Sequence, residues 1–228
     1  MGLNRPVYME KVDMLIAHRI NSLEELKVLP SDTPIELDIR ESDYGCTVRH
    51  DAFTSGETLV SFIPYLKTRM CILNVKCEGI EEYILKLFKL YDIQNFFFLD
   101  CSIPMIHKLT LRDESRIAIR WSEYEGIESV KAWAGKVQWV WVDCFTKYPL
   151  TKQTADELQG LGFKLCMVSP ELQGRDTDIE PYCEDLLKIG VRPDAVCTKV
   201  YNFNRWAKLY SSDVSPSQTS ATVSTPLP

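Results

Sequence analysis

Eight short, nearly continuous apolar segments alternate with amphipathic segments along the chain, and this alternation constrains the fold more than any other feature. The apolar segments are rich in Val, Ile, Phe and Trp, as in "VQWVWVD", which is typical of strands buried on both faces. They occupy residues 12–19, 34–40, 70–76, 95–100, 116–122, 137–143, 163–169 and 194–199.

The segments between the predicted strands have helical periodicity. In "EGIEEYILKLFKLYDI" apolar residues recur every three or four positions, and "TKQTADELQGLG" begins with capping residues and ends on glycine. Eight strands joined by helices predict an α/β fold, a single-domain TIM-type (β/α)₈ barrel over residues 1–210. An open doubly wound sheet is the alternative, but no GxGxxG turn follows the first strand. Residues 211–228 are rich in Ser, Thr and Pro and are predicted to be a disordered tail.

Composition excludes several classes of function. The 228 residues carry a net charge of −6 with Lys and Arg scattered among acids, so we expect no nucleic-acid partner. No apolar run reaches the ~18 residues of a membrane-spanning helix, and we expect no stable membrane insertion. The eight cysteines form no CxxC pair and no zinc-like spacing, which predicts free thiols in a reducing compartment, the cytoplasm.

Polar residues interrupt the apolar segments near their carboxyl ends, where the active sites of parallel α/β barrels lie. Several of them also suit other roles. Asp100, Asp143, Ser169 and Thr198 can cap the following helices, and Lys199 can point into water. We expect His107 at the surface, and Trp139 and Trp141 in the core. The polar residues at the strand ends are His18, Arg19, Glu36, Asp38, Asn74, Lys76, Asp100, Arg120, Ser122, Asp143, Ser169, Thr198 and Lys199.

Glu36 and Asp38 carry the strongest chemical signal. Residues two apart on a strand share a face, so both carboxylates point the same way and repel each other when buried. A hard divalent cation, Mg²⁺ or Ca²⁺, between them would remove that cost and leave positions for water and phosphate. His18 and His50 would then serve as general acid and base. The alternative is a solvated strand end with two unrelated histidines.

In their order and spacing along the chain, the polar motifs at the strand ends resemble those of the glycerophosphodiester phosphodiesterase family. The sequence contains "AHRIN" at the end of the first strand, "IELDIR" on the second, "VRHD" after it, "LNVK" on the third and "PDAVCTK" on the last. The resemblance extends over residues 12–200 and implies a TIM barrel that hydrolyses a small phosphodiester.

The resemblance also implies residue roles. His18 and His50 would be the catalytic acid and base. Arg19 would bind the phosphate and Lys76 would contact it. Beyond the resemblance, Arg120 at the end of the fifth predicted strand is expected to offset charge on the phosphate with them. Glu36, Asp38 and Asn74 would hold one divalent cation, Mg²⁺ or Ca²⁺. Lipid metabolism is the expected setting, with deacylated phospholipids, lysophospholipids or phosphodiester-linked surface sugars as candidate substrates. No exposed amphipathic helix of the membrane-binding kind is evident, which favours a soluble substrate over a membrane-bound one.

The chain departs from the family pattern at two positions in the motifs. Ile20 replaces the glycine after His-Arg, and Asn74 replaces the third carboxylate, which removes one negative charge. The usual insertion before the third strand is also missing, so the chain resembles a compact member of the superfamily. Two further hypotheses follow: a weakly active or inactive barrel that binds a phosphate-containing ligand, and a barrel enzyme of unrelated chemistry whose activity survives a chelator.

Overall fold

A computed structural model describes residues 14–43 and 45–209. The strands are β1 (Met14–Ala17), β2 (Ile35–Ser42), β3 (Gly45–Val48), β4 (Glu57–Thr58), β5 (Cys71–Val75), β6 (Phe96–Leu99), β7 (Ala118–Trp121), β8 (Trp139–Val142), β9 (Lys164–Val168) and β10 (Ala195–Thr198). The helices are α1 (Leu23–Val28), α2 (Leu59–Leu66), α3 (Glu81–Leu90), α4 (Ile103–Thr110), α5 (Ile127–Lys131), α6 (Lys152–Gly160), α7 (Ile179–Lys188) and α8 (Phe203–Trp206). Positions 12, 13 and 210 and the predicted tail lie outside the described residues.

The eight predicted strands form a ring of parallel neighbours, which confirms the TIM-type barrel. The order around the ring is β1, β2, β5, β6, β7, β8, β9 and β10, and β10 pairs with β1 again. A single parallel bridge between Phe98 and Ile117 joins β6 to β7 and completes the ring. Phe98 N–H also donates to the carbonyl of Arg116 at 2.9 Å.

A hairpin that the sequence pattern did not predict lies between the second and third strands of the ring. β2 continues to Ser42, two residues beyond the predicted end, and pairs antiparallel with β3, which pairs with β4. Strand β3, "GCTV", has only two apolar side chains, Cys46 and Val48, between polar segments, and this pattern is too weak to identify a strand. This hairpin brings His50 back to the barrel.

Apolar side chains cover both faces of the barrel strands. One set fills the barrel interior, where the Phe97 and Trp139 rings stack with centroids 4.7 Å apart and Trp141 is buried. The other set lies between the strands and the helices. The expectation that both tryptophans belong to the core is therefore confirmed. All eight cysteines are free thiols, as their spacing predicted. Within residues 14–43 and 45–209, no helix is long and apolar enough to span a membrane.

Trp206 anchors α8 against the outer core. Its side chain is fully buried, and its indole N–H donates to the Ser169 hydroxyl at 2.7 Å. We expect Trp206→Ala to lower the free energy of unfolding by about 3–5 kcal/mol, because it leaves a large cavity and removes a hydrogen bond from the buried Ser169 hydroxyl. Tyr201→Ala, at an exposed position nearby, should change it by less than about 0.5 kcal/mol. Urea denaturation of both variants measures the difference; equal effects would contradict this role for Trp206.

Candidate functional site

Strand β2 presents two carboxylates to the barrel interior. Leu37 and Ile39 pack in the outer layer between strands and helices, so alternation along the strand turns Glu36 and Asp38 inward. Both acids are almost completely buried. Asp38 is in register with Asn74 on the neighbouring strand β5, which places the amide of Asn74 beside the pair.

Glu36 is held by neutral donors. The backbone N–H of Arg19 donates to its Oε2 at 2.6 Å, and the side-chain amide of Asn74 donates to its Oε1 at 2.8 Å. Arg19 has a positive φ of 57°, a conformation that costs free energy in a residue other than glycine. That conformation belongs to the turn in which the Arg19 amide reaches the buried carboxylate.

Asp38 is surrounded by cations and by one amide. Asn21 Nδ2 donates to Asp38 Oδ2 at 2.7 Å, and the Asp38 N–H donates back to Asn21 Oδ1 at 3.0 Å. Lys76 Nζ lies 3.3 Å from Asp38 Oδ1, and Arg19 Nε lies 3.5 Å from Oδ2. Asn21 was not among the predicted site residues; the only signal for it is its position in the loop directly after "HR".

Burial sets the protonation states at this site. Burial and then the neighbouring Asp38 carboxylate raise the pKa of Glu36 to about 7. Burial, followed by the positive charges of Lys199, Arg19 and Lys76, lowers the pKa of His18 to about 3. Near neutral pH His18 is therefore an uncharged imidazole, with Nε2 3.9 Å from Glu36 Oε2. An uncharged imidazole has a lone pair to accept a proton, but a pKa this low makes it a weak base unless a nearby negative charge raises it.

His50 reaches the same region from the loop after β3. Its Nδ1 lies 2.7 Å from Asp51 Oδ1, and its charge contributes to the lowered pKa of His18. Arg40 fixes this loop by donating to the backbone carbonyls of His50 at 2.8 Å and Lys76 at 2.9 Å. A cavity of about 510 Å³ adjoins His50, with polar walls that include Asn21 and Ser55. Arg40 was not predicted as a site residue, because its role depends on the unpredicted hairpin.

A chain of alternating charges extends across the mouth of the barrel. Lys76 Nζ lies 3.4 Å from Asp100 Oδ2, and the Arg120 guanidinium bridges Asp100 and Asp143. Gln173 Nε2 adds a hydrogen bond to Asp143 Oδ1 at 2.9 Å. The structure therefore places Arg120, a predicted phosphate contact, between two carboxylates.

The remaining polar residues at the strand ends have structural partners. Glu171, which the sequence pattern did not highlight, accepts hydrogen bonds from Ser169, from Thr198 and from the backbone N–H of Lys199. Helix α4 is capped by Ser102, whose hydroxyl accepts from the Met105 amide at 3.2 Å, and not by Asp100. His107 lies exposed on α4.

The donors around Asn74 fit one hard divalent cation. Asn74 Oδ1 is buried and accepts no hydrogen bond from the described residues, so it is an unsatisfied acceptor that a ligand could use. Together with the carboxylates of Glu36 and Asp38 it gives an all-oxygen donor set, the type that Mg²⁺ and Ca²⁺ prefer. Residues 14–43 and 45–209 contain no group of three or more His, Cys, Asp or Glu side chains arranged for a metal, so a cation held here would have the Asn74 amide as its third protein ligand.

The raised pKa of Glu36 predicts how stability depends on pH without a cation. Its folded-state pKa of about 7 exceeds the reference value of 4.5, so its contribution is fully present below pH 4.5 and is lost as the pH rises through 7. In EDTA, we expect Glu36→Gln to gain stability relative to the wild type between pH 5 and 8, by on the order of 1–3 kcal/mol. Urea denaturation across this range measures it.

The control for this experiment is Glu184→Gln, at an exposed position on α7. Its stability should follow the wild type at every pH. Parallel curves for Glu36→Gln and the wild type would mean that Glu36 titrates alike in the folded and unfolded chains, contrary to its burial.

Comparisons with known proteins locate the fold among solved structures. No family model and no curated protein sequence matches the chain. The crystal structure of glycerophosphodiester phosphodiesterase from Agrobacterium tumefaciens str. C58 aligns with a TM-score of 0.55 and 13% identity over 86% of this chain and 98% of that one. Another structure from the same organism, assigned as a glycerophosphoryl diester phosphodiesterase, aligns with a TM-score of 0.58 and 11% identity over 87% and 98%. At these identities, the likeness establishes a shared barrel fold.

Proposed function

We propose that the chain is a metal-dependent phosphodiester hydrolase of the glycerophosphodiester phosphodiesterase type. One observation carries the proposal: an uncharged, partly buried histidine lies beside two buried carboxylates and two cationic side chains at the mouth of the barrel. The likeness of the fold to solved phosphodiesterases and the motifs on the first three predicted strands support it. The expected partner is a small phosphodiester.

The cation, Mg²⁺ or Ca²⁺, would be held by Glu36, Asp38 and the Oδ1 of Asn74. When bound, it would supply Lewis-acid polarisation of a non-bridging phosphate oxygen. In the structure Asn74 Oδ1 is the free acceptor of this amide, while its Nδ2 donates to Glu36 Oε1 at 2.8 Å.

Two histidines would share the proton transfers. His18, uncharged at neutral pH, accepts the proton from the attacking hydroxyl, either water or a neighbouring hydroxyl of the substrate. His50, oriented by Asp51, donates a proton to the leaving oxygen as the P–O bond breaks. Arg19 and Lys76 stabilise the charge that grows on the phosphate oxygens. Arg120, held between Asp100 and Asp143, supports the position of Lys76 through Asp100.

A barrel that binds a phosphate-containing ligand with little turnover is the second candidate. Its supporting observation is that Asp38 already contacts Lys76 and Arg19, and Asn74 supplies no charge to attract a cation.

For the cellular setting, the eight free thiols, six of them buried, favour a reducing compartment, and we propose the cytoplasm. We also propose that the protein binds no nucleic acid and does not insert into membranes.

Hydrolysis assays test the proposed reaction. Purified protein should cleave bis(p-nitrophenyl) phosphate or glycerophosphocholine with Mg²⁺ or Ca²⁺, and EDTA should abolish the activity. We expect His18→Ala and Glu36→Ala each to lower kcat by about 10² or more, since each removes a group that acts on the transition state. His107→Ala is the matched control, because this exposed histidine lies away from the strand ends.

The outcomes separate the hypotheses. Activity that survives EDTA would contradict the cation and favour unrelated barrel chemistry. Measurable cation binding without turnover of either substrate would favour the binding role. Loss of activity in His107→Ala equal to that in His18→Ala would remove the histidine mechanism.

The amide at position 74 leads to a separate prediction about cation affinity. Asn74→Asp adds a third carboxylate beside Glu36 and Asp38, so we expect calorimetry to give a Kd for Mg²⁺ or Ca²⁺ at least about tenfold lower than that of the wild type. In EDTA the same variant should have a lower Tm, because a third buried charge is unbalanced and Glu36 loses its donor. Asn95→Asp, exposed just before β6, controls for net charge. Equal cation affinities in all three proteins would contradict the ligand set.

A further inference from the structure

Four of the polar residues at the carboxyl ends of the predicted strands are Lys or Arg, and three of them contact carboxylates. Arg19 and Lys76 contact Asp38, and Arg120 lies between two acids. Lys199 differs from these three. In the part of the chain that the structure describes, its ammonium group has no ion pair and no hydrogen bond. Its charge is therefore available to an anion from outside the protein.

The backbone directs the Lys199 side chain toward the barrel axis. Cys197, two residues earlier on β10, belongs to the barrel interior. Lys199 keeps an extended backbone, with φ −72° and ψ 143°, so the alternation of the strand continues to this residue. Its half-buried side chain consequently lies on the same face as Cys197, over the mouth of the barrel.

Lys199 is also the neighbour of His18 across two parallel strands. β1 and β10 are in register at Ala17 and Thr198. The His18 N–H donates to the Thr198 carbonyl at 2.9 Å, so the pairing extends one residue beyond β1 and places His18 beside Lys199. After burial, the charge of Lys199 is the largest cause of the lowered pKa of His18, as expected for adjacent side chains.

The carboxylate of Glu171 lies close to Lys199 without neutralising its ammonium group. Its oxygens accept hydrogen bonds from the hydroxyls of Ser169 and Thr198, and from the backbone N–H of Lys199 at 3.1 Å. These bonds fix the end of β10. They hold the backbone of Lys199 in place and leave its ammonium group without a counter-ion.

Lys199 and the two buried acids lie on opposite sides of His18. β2, which carries Glu36 and Asp38, is the neighbour of β1 on one side, and β10 is its neighbour on the other. An anion in front of His18 would therefore meet Lys199 on the side away from these acids. A half-buried ammonium group without a partner carries a desolvation cost, which a bound anion would offset.

We propose that Lys199 binds the phosphate group of the substrate, on the side of His18 opposite Glu36 and Asp38. This inference rests on the proposed function for the identity of the ligand. It gives Lys199 the role that the sequence pattern assigned to Arg120, whose guanidinium is occupied by two carboxylates. An ammonium group forms strong, charge-assisted hydrogen bonds with phosphate oxygens, and its flexible stem allows it to reach them.

Anion binding without turnover is the first test. In EDTA, inorganic phosphate should raise the Tm of the wild type above its value in sodium chloride of equal ionic strength, because a ligand of the folded state stabilises that state. The dependence of Tm on phosphate concentration gives a Kd. We expect Lys199→Met to raise this Kd by about tenfold or more, since it removes a charge-assisted hydrogen bond.

Two further variants control for charge and for folding. Lys199→Arg keeps the positive charge, and its Kd for phosphate should stay within about threefold of the wild type. Lys86→Met, at an exposed position in the middle of α3, removes the same net charge and should bind phosphate as the wild type does.

Turnover in the presence of cation is the second test. Lys199→Met should raise KM for glycerophosphocholine by about tenfold or more, because the contact already forms with the bound substrate, whereas His18→Ala should act on kcat. No rise of the wild-type Tm in phosphate, a Kd and a KM in Lys199→Met close to those of the wild type, or equal losses in Lys199→Met and Lys199→Arg would overturn the inference.

The two tests also separate this inference from the proposed function. Phosphate binding that depends on Lys199, without any turnover, would support the inference and contradict the phosphodiesterase activity. Turnover that depends on His18 but not on Lys199 would support the activity and overturn the inference.

Discussion

The mutual repulsion of Glu36 and Asp38 is the constraint on which the rest of the site depends. Two inward-facing carboxylates on one strand, both nearly fully buried, cannot ionise together without compensation. The surroundings supply that compensation in two forms. Glu36 is given hydrogen bonds from neutral donors and keeps a raised pKa, while Asp38 is given the charges of Lys76 and Arg19. Because of this asymmetry, Asp38 holds the cationic side chains in place, and Glu36 is the carboxylate that a cation under the proposed function would deprotonate.

The charge network transmits this constraint across the barrel mouth. Lys76 is shared by Asp38 and Asp100 at nearly equal distances of 3.3 and 3.4 Å, so neither carboxylate holds it alone. Asp100 in turn has a positive φ of 61°, and Arg120 ties it to Asp143 on the far side. The position of the ammonium group relative to the two β2 acids is therefore set by residues on strands β5 to β8.

The sequence predicted the features that depend on periodicity, and missed those that depend on contacts between distant segments. All eight barrel strands and the inward pair of acids followed from apolar runs and from alternation along a strand. The β3–β4 hairpin, Asn21 and Arg40 did not, because β3 carries only two apolar side chains within a polar segment and the side chains of Asn21 and Arg40 act through partners 17 and 36 residues away. For Arg120 the sequence identified a mouth position, but its pairing with Asp100 and Asp143 depends on how three strands align.

Asn74 links the chemistry of the site to the stability of the fold. As a donor to Glu36, it stabilises the cation-free barrel; as an oxygen ligand, it would complete a donor set of charge −2 rather than −3. A third acid would bind a cation more tightly, but it would add a third buried charge to a strand pair that already raises the pKa of Glu36 to about 7. Under the proposed function, the amide would give a barrel that folds without a cation and binds one more weakly, and the missing charge would have to come from the phosphate of the substrate.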